Sequence, residues 1–192
     1  MDVLDRPYFA LGVIAEPLAA LVQKFKEHGP HSVLPAVTPF VFPGQPYTAD
    51  PEGAPMIMWS PSCSSHLTAF MPHVQSGDYF VLQYAHKHMK LGAASIRSTL
   101  DNDEWPINEF IVHADGERKR IVRTMRDSSR WDFFAEGEIL PFEDEIKYSE
   151  RRIRDRLSRN DLIKYIEAWG APVSNFQFWT TESNSYTFAK KG

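Results

Sequence analysis

The histidines of this chain are candidate metal ligands. Six of the seven lie in residues 1–96, and four of them flank one predicted strand: His66, His73, His86 and His88. Two imidazoles on one face of a strand can chelate a metal ion. These four residues therefore define one alternative function, a metal-assisted hydrolase. Two patterns are typical of protein metal sites, the HExxH motif and a cluster of cysteines. The chain has neither, which argues against this function.

Nucleophilic and phosphate-binding motifs give little support for other enzyme classes. Cys63, the only cysteine, lies in a serine-rich loop beside Pro61. No G-x-S-x-G elbow accompanies it, so we interpret it as a loop cysteine rather than a nucleophile. The chain also has no GxGxxG and no Walker loop, which argues against dinucleotide and nucleoside triphosphate chemistry. The sequence predicts no cofactor.

Basic residues are concentrated in two stretches of the second half, 118–126 and 151–156. Acidic residues adjoin both stretches, including Glu117, Asp127 and Glu150. A nucleic-acid surface needs arginines that are unopposed and interleaved with stacking aromatics. We therefore interpret both stretches as ion-paired surface and expect no nucleic acid as partner. RNA binding through Arg118 to Arg126 stays open as a minor alternative.

Six carboxylates fall within fourteen residues and alternate with aromatic and aliphatic residues. They are Asp132, Glu136, Glu138, Glu143, Asp144 and Glu145. If the local strands alternate, the apolar side chains point inward and all six carboxylates point outward. The result would be an anionic ridge that attracts and holds a basic partner protein. These six are the predicted partner-binding residues.

The elements that position these residues are mostly short strands. Strands are predicted at 8–15, 56–59, 78–85, 94–100, 107–114, 117–125, 131–134, 139–142, 175–180 and 186–188. Asp115-Gly116 predicts a type I′ hairpin turn. Helices are predicted after Pro17, at 149–156 and after Ser158, which with Asp161 forms a capping box. This arrangement predicts an α+β fold with a largely antiparallel sheet and a few flanking helices.

Residues 30–55 form a proline-rich segment, with seven prolines and a candidate edge strand at 37–42. Its aromatic residues and its lack of Ser/Gly linker composition predict an ordered arm rather than a domain boundary. The first half of the chain carries 12 charged residues and the second half 34, with the same net charge of −2 in each. Because strands continue through the midpoint, we expect one domain over residues 1–192.

Three features of the sequence bear on the cellular compartment, and they agree with one another. A single cysteine suits a reducing compartment, the first residues lack a basic signal-peptide region, and no apolar run reaches the length of a membrane span. The net charge of −4 argues against a generally basic nucleic-acid binder. The sequence therefore predicts a cytoplasmic protein with no membrane partner, and it leaves a homodimer open.

Scattered residues of the second half resemble a known family. They include Asp78-Tyr79-Phe80, Pro106-Ile107-Asn108, Trp131-Asp132-Phe133 with Gly137, Leu140-Pro141-Phe142-Glu143, Tyr148, Arg151, Arg156-Leu157 and Tyr165 to Gly170. Over roughly residues 78–170 the chain resembles bacterial immunity proteins of polymorphic or type VI secreted toxins, in particular those paired with restriction-endonuclease-fold nucleases. The resemblance implies a non-enzymatic protein that binds and neutralises a cognate toxin in interbacterial competition. It transfers no functional residue, because immunity proteins act through surfaces that differ from pair to pair.

Overall fold

Across the residues that a computed structural model of the chain describes, nine strands form a single antiparallel sheet. The structure describes residues 8–28, 31–35, 56–71, 80–100, 102–183 and 185–190. The strands are β1 (Tyr8–Ile14), β2 (His31–Pro35), β3 (Met56–Trp59), β4 (Thr68–Met71), β5 (Ala93–Thr99), β6 (Ile107–Ala114), β7 (Glu117–Asp127), β8 (Arg130–Gly137) and β9 (Tyr186–Lys190). Their order across the sheet is β2-β9-β3-β4-β1-β5-β6-β7-β8, and every pairing is antiparallel.

In the same described ranges, three α-helices flank this sheet: α1 (Leu18–His28), α2 (Phe80–Met89) and α3 (Arg159–Trp169). Short 3₁₀ helices lie at Glu145–Ser149, Ile153–Asp155 and Phe176–Trp179. The predicted α+β class with an antiparallel sheet is confirmed. Within the described chain, no helix is long and apolar enough to cross a membrane.

The two faces of the sheet carry separate cores. On one face, α3 packs over β5 and β6 in a core that contains Phe110, Leu162 and Ile166. On the other face, α1 and α2 cover a core around Phe25 and Phe70. Both cores draw on the same strands because neighbouring strand residues point to opposite faces.

Two hairpins build the end of the sheet that carries the predicted site. Asp115 and Gly116 have φ values of 54° and 81°, which confirms the predicted type I′ turn between β6 and β7. A second two-residue turn, Ser128-Ser129, joins β7 to β8 with Asp127 opposite Arg130. As a result β8 is the terminal strand at this edge of the sheet.

The strand predicted at 78–85 is wrong where the structure describes it, because α2 spans Phe80–Met89. Val81, Leu82 and Ala85 are buried, whereas Gln83 and Lys87 are exposed. The buried positions follow helical spacing, but a short apolar run does not distinguish a buried strand from a buried helix. Tertiary contacts with β1 and β5 select the helix.

Three other predicted elements differ from the structure. Residues 149–156 contain one apolar residue, Ile153, so they offer no stripe for a packed helix and form only a 3₁₀ turn at Ile153–Asp155. Residues 139–142 form an irregular segment and turn rather than a strand. The strand predicted at 175–180 is largely replaced by the 3₁₀ helix Phe176–Trp179, capped by the side chain of Asn175.

Helix α3 begins as predicted. The Ser158 side chain accepts a hydrogen bond from the Asp161 backbone, and the Asp161 carboxylate accepts one from the Ser158 backbone at 2.8 Å. The edge strand predicted at 37–42 and His73 lie outside the described residues, as do residues 36–55 of the proline-rich segment.

Candidate functional site: an acidic loop beside the terminal strand

Residues 138–146, which we call the acidic loop, connect the end of β8 to the α3 side of the sheet. Leu140 and Phe142 turn inward and pack on the α3-side core. Glu138, Asp144 and Glu145 are exposed. The loop therefore presents three carboxylates to solvent, while Leu140 and Phe142 fix it to the sheet.

Two isoleucines of the acidic loop are also directed to solvent. Ile146 is 84% exposed and Ile139 is 40% exposed. Single exposed apolar residues are ordinary on protein surfaces. Here each isoleucine directly follows an exposed glutamate, Glu138 or Glu145, which is the combination of apolar anchor and charged rim found in protein–protein interfaces.

The six predicted carboxylates do not form one ridge. Strand alternation places Asp132 and Glu136 on the face of β8 opposite Phe133, whose ring packs 5.3 Å from that of Tyr148 on the α3 side. Asp144 lies on the α3 side, where its backbone N–H donates to the Tyr165 hydroxyl. Asp132 and Glu136 thus lie on the opposite side of β8 from Asp144.

Glu143 is the clearest departure from the predicted ridge, because its side chain is 0% exposed. Arg120 of β7, itself 2% exposed, donates to both carboxylate oxygens, with Nε–Oε1 at 2.9 Å and Nη2–Oε2 at 2.7 Å. The predicted outward orientation is therefore wrong for this residue. Alternation failed because the chain leaves the strand at Gly137 and turns Glu143 back toward the sheet.

Further hydrogen bonds complete the environment of Glu143. Tyr148 donates to Oε2 at 2.6 Å, and the Leu140 backbone N–H donates to Oε1 at 3.0 Å. Arg120 also donates to the Gly137 carbonyl at 3.0 Å. The buried pair is thus hydrogen-bonded to the backbone of Gly137, just before the acidic loop, and of Leu140 within it. These bonds hold the loop in one conformation.

Proton affinities in this network follow its geometry. Burial alone would lower the pKa of Arg120, but the bidentate hydrogen bonds to Glu143 outweigh it and raise that pKa. Burial and the hydrogen bond to Glu143 raise the pKa of Tyr148. Arg120 stays cationic and Tyr148 stays a neutral donor, so the network keeps its hydrogen bonds at physiological pH.

The histidines proposed as metal ligands are not brought together. His86 and His88 lie two residues apart on α2, which directs them to different sides of a helix rather than to one strand face. His86 is buried, while His88 is exposed and its ring lies against that of Tyr84 at a tilt of 31°. His66 is exposed in the loop before β4. Over the residues that the structure describes, no group of three or more potential metal ligands occurs.

A different histidine pair, His86 with His113 of β6, does meet in the fold. Their rings stack with centroids 3.9 Å apart and planes 12° apart, and both residues are buried. Neither Nδ1 has a hydrogen-bond partner among the residues that the structure describes. Sequence reasoning missed this pair because it assigned His86 to a strand, and no local spacing connects it to His113.

Burial and neighbouring positive charge keep this stacked pair neutral. Burial, followed by the charges of His86, Arg118 and Lys87, lowers the pKa of His113 to about 4. Burial also lowers the pKa of His86, which a hydrogen bond to the Gly116 backbone only partly offsets. A stacked neutral pair of this kind joins α2 to the β6–β7 hairpin.

Cations of the stretch 118–126 are already engaged within the protein. Arg118 pairs with Glu136 at 2.7 Å, and Arg123 lies 3.6 Å from Glu109. Arg126 donates to the backbone carbonyl of Asp103 at 2.9 Å. Arg118 and Arg123 are therefore paired with carboxylates, whereas a nucleic-acid surface presents unopposed basic residues.

Comparisons with protein-family models, with curated proteins and with solved structures find no match to this chain.

Proposed function

We propose that this protein is an immunity protein, a cytoplasmic inhibitor that binds and neutralises a cognate secreted antibacterial toxin of nuclease type. The observation that carries the proposal is the acidic loop. Its three exposed carboxylates and two exposed isoleucines are held on a sheet by the buried Arg120–Glu143 pair. The surface is therefore built to meet another macromolecule with a fixed pattern of charge.

Electrostatics explains why such a surface suits an inhibitor. Opposite charge accelerates capture of a partner and selects among partners. A nuclease binds phosphates in a basic groove, so the carboxylates of Glu138, Asp144 and Glu145 can occupy positions where phosphates would bind. Ile139 and Ile146 supply apolar area that remains favourable when salt screens the charges.

The two alternative functions receive less support from the described geometry. A metal-assisted hydrolase was predicted from His86 and His88 on one strand face, and they lie on different sides of α2. RNA binding was kept only as a minor alternative, and three of its basic residues, Arg118, Arg120 and Arg123, pair with Glu136, Glu143 and Glu109. We therefore retain the toxin inhibitor as the single proposal, with type VI secretion as the route by which the toxin arrives.

Co-expression tests the proposal directly. The product of the neighbouring toxin gene should arrest growth when expressed alone, and this protein should restore growth. Reversing the loop charges with Glu138→Lys, Asp144→Lys and Glu145→Lys should abolish rescue, and should slow association with the purified toxin on the order of tenfold or more at low salt.

A matched variant controls for net charge. Glu27→Lys, Glu104→Lys and Glu182→Lys change the same number of exposed carboxylates elsewhere on the protein, and rescue should survive. If the unmodified protein fails to restore growth, the function is wrong. If both triple variants behave alike, the acidic loop is not the binding surface.

A further inference from the structure

Strand β8 has one hydrogen-bonded side and one open side. It is the terminal strand of the sheet, and among described strands it pairs only with β7. The pairing runs without a register shift from Asp127 opposite Arg130 to Arg120 opposite Gly137. Proteins usually protect a long regular edge with proline, lysine or a bulge, and none of these interrupts β8.

The turn before β8 determines which backbone groups reach the open side. In a two-residue hairpin the residues flanking the loop, here Asp127 and Arg130, form a hydrogen-bonded pair. Hydrogen-bonded pairs then recur at every second residue, so the backbone groups of Trp131, Phe133 and Ala135 point away from β7. These groups form a regular row of donors and acceptors.

We propose that β8 pairs antiparallel with β8 of a second copy of this chain, about a two-fold axis at Phe133. In this register Arg130 lies opposite Glu136 of the second copy, and Trp131 lies opposite its Ala135. The two sheets become continuous, and the two-fold symmetry repeats the Arg130–Glu136 pair on both sides of the axis. The inference does not depend on the proposed function.

Charge and hydrogen bonding select this register among its neighbours. Shifting the pairing by two residues places Asp132 opposite either Asp132 or Glu136 of the other copy, and like charges directly opposite are unfavourable. Shifting it by one residue brings open backbone groups against groups already bonded to β7. Only the register centred on Phe133 opposes Arg130 with a carboxylate across the full strand.

Size measurement with reciprocal charge variants tests this dimer. Sedimentation at tens of micromolar protein should give twice the chain mass of 22.0 kDa. Arg130→Glu alone and Glu136→Arg alone should each sediment as a monomer, because each change opposes two like charges. An equimolar mixture of the two variants should restore the dimer, because both cross-strand pairs again have opposite charge.

Two further variants separate the interface from the fold. Glu136 also pairs with Arg118 inside the chain, so Arg118→Gln controls for loss of that contact and should remain dimeric. Ala135→Pro removes one open N–H without removing a hydrogen bond to β7. This variant should sediment as a monomer and be folded by circular dichroism. A monomeric unmodified protein, a mixture that stays monomeric, or charge variants that stay dimeric would each overturn the proposal.

Discussion

Arg120 and Glu143 show how single residues control the candidate surface without being part of it. Both side chains are buried, and Nε and Nη2 of Arg120 donate three hydrogen bonds to the Glu143 carboxylate. A buried ion pair adds little net stability over an apolar pair, but removing one partner leaves a buried uncompensated charge. The pair therefore makes one arrangement of the acidic loop strongly preferred.

We expect Arg120→Met to lower the free energy of unfolding by about 3 kcal/mol, because the Glu143 carboxylate then loses its cation in a buried site. Glu143→Leu alone should cost a similar amount. The double variant should lose clearly less than the two single losses added together, since neither charge remains. Chemical denaturation of the four proteins measures this coupling.

The matched control is the exposed pair Arg118–Glu136, whose side chains are about half exposed. Its removal should change the free energy of unfolding by less than about 1 kcal/mol. Strict additivity of Arg120→Met and Glu143→Leu would contradict the coupling inferred from the buried geometry.

The stacked histidines predict a loss of stability on acidification. His113 has a folded-state pKa of about 4, below the usual 6.5, so between these values the unfolded chain binds a proton that the folded protein does not. Stability from this group is present above pH 6.5 and falls as pH drops toward 4, by at most about 1.4 kcal/mol for each pH unit. Thermal melts across this range should show the decline.

Two variants isolate the histidine contribution. His113→Phe keeps a ring for stacking on His86 and removes one titrating group, so its melting temperature should fall less steeply with pH. His66→Gln changes an exposed histidine and should leave the slope of the unmodified protein. Equal slopes for all three proteins would show that the buried pair does not titrate on unfolding.

At the scale of elements, local signals succeeded where the chain itself satisfies its hydrogen bonds. The Asp115-Gly116 turn and the Ser158–Asp161 capping box depend on residues close in sequence, and both were predicted. Helix α2 was missed because its buried face matches either a strand or a helix until β1 and β5 are in place.

Gly137 ends β8 and starts the acidic loop, and only glycine fits there. Its φ is +89°, and an added Cβ would lie 2.0 Å from the Lys119 carbonyl oxygen. Lys119 is the extra residue where the β6–β7 register shifts, because Val112 faces Arg120 while His113 faces Arg118. The close approach of two backbones therefore sets where the loop begins.

Gly137→Ala should lower the free energy of unfolding by about 2 kcal/mol, from the clash and the unfavourable φ together. Gly92→Ala is the matched control, because its added Cβ would meet only the Ala15 Cβ at 3.7 Å. That control should change stability by less than about 1 kcal/mol. Equal effects in urea denaturation would show that the backbone contact at Gly137 is relieved by small shifts.

For the molecule as a whole, the two cores are joined through shared strands. In β3, Trp59 belongs to the α3-side core and Met58 to the α1/α2-side core. In β4, Ala69 and Phe70 divide in the same way. Neither core can be lost without disrupting strands that support the other, so we expect one cooperative unfolding unit.

Phe70→Ala tests this cooperativity, because Phe70 is buried in the α1/α2-side core. The substitution should lower the free energy of unfolding by about 3 kcal/mol. Tryptophan fluorescence, to which Trp59 and Trp179 of the α3-side core contribute, should shift its unfolding midpoint in step with far-ultraviolet circular dichroism. A fluorescence transition that stays at its original midpoint would mean that the two cores unfold separately.

The fold class of this protein and the hairpin beside its candidate site can be predicted from local sequence patterns. Period-two alternation, Asp115-Gly116 and the Ser158 cap are local signals, so the α+β class, most strands and helix α3 follow from them. The burial of Glu143 against Arg120 and the stacking of His86 on His113 arise only when the chain is folded. Each contact joins residues that lie more than twenty positions apart and share no sequence spacing. Whether a carboxylate or an imidazole faces solvent depends on how the surrounding elements pack, which its residue type does not specify.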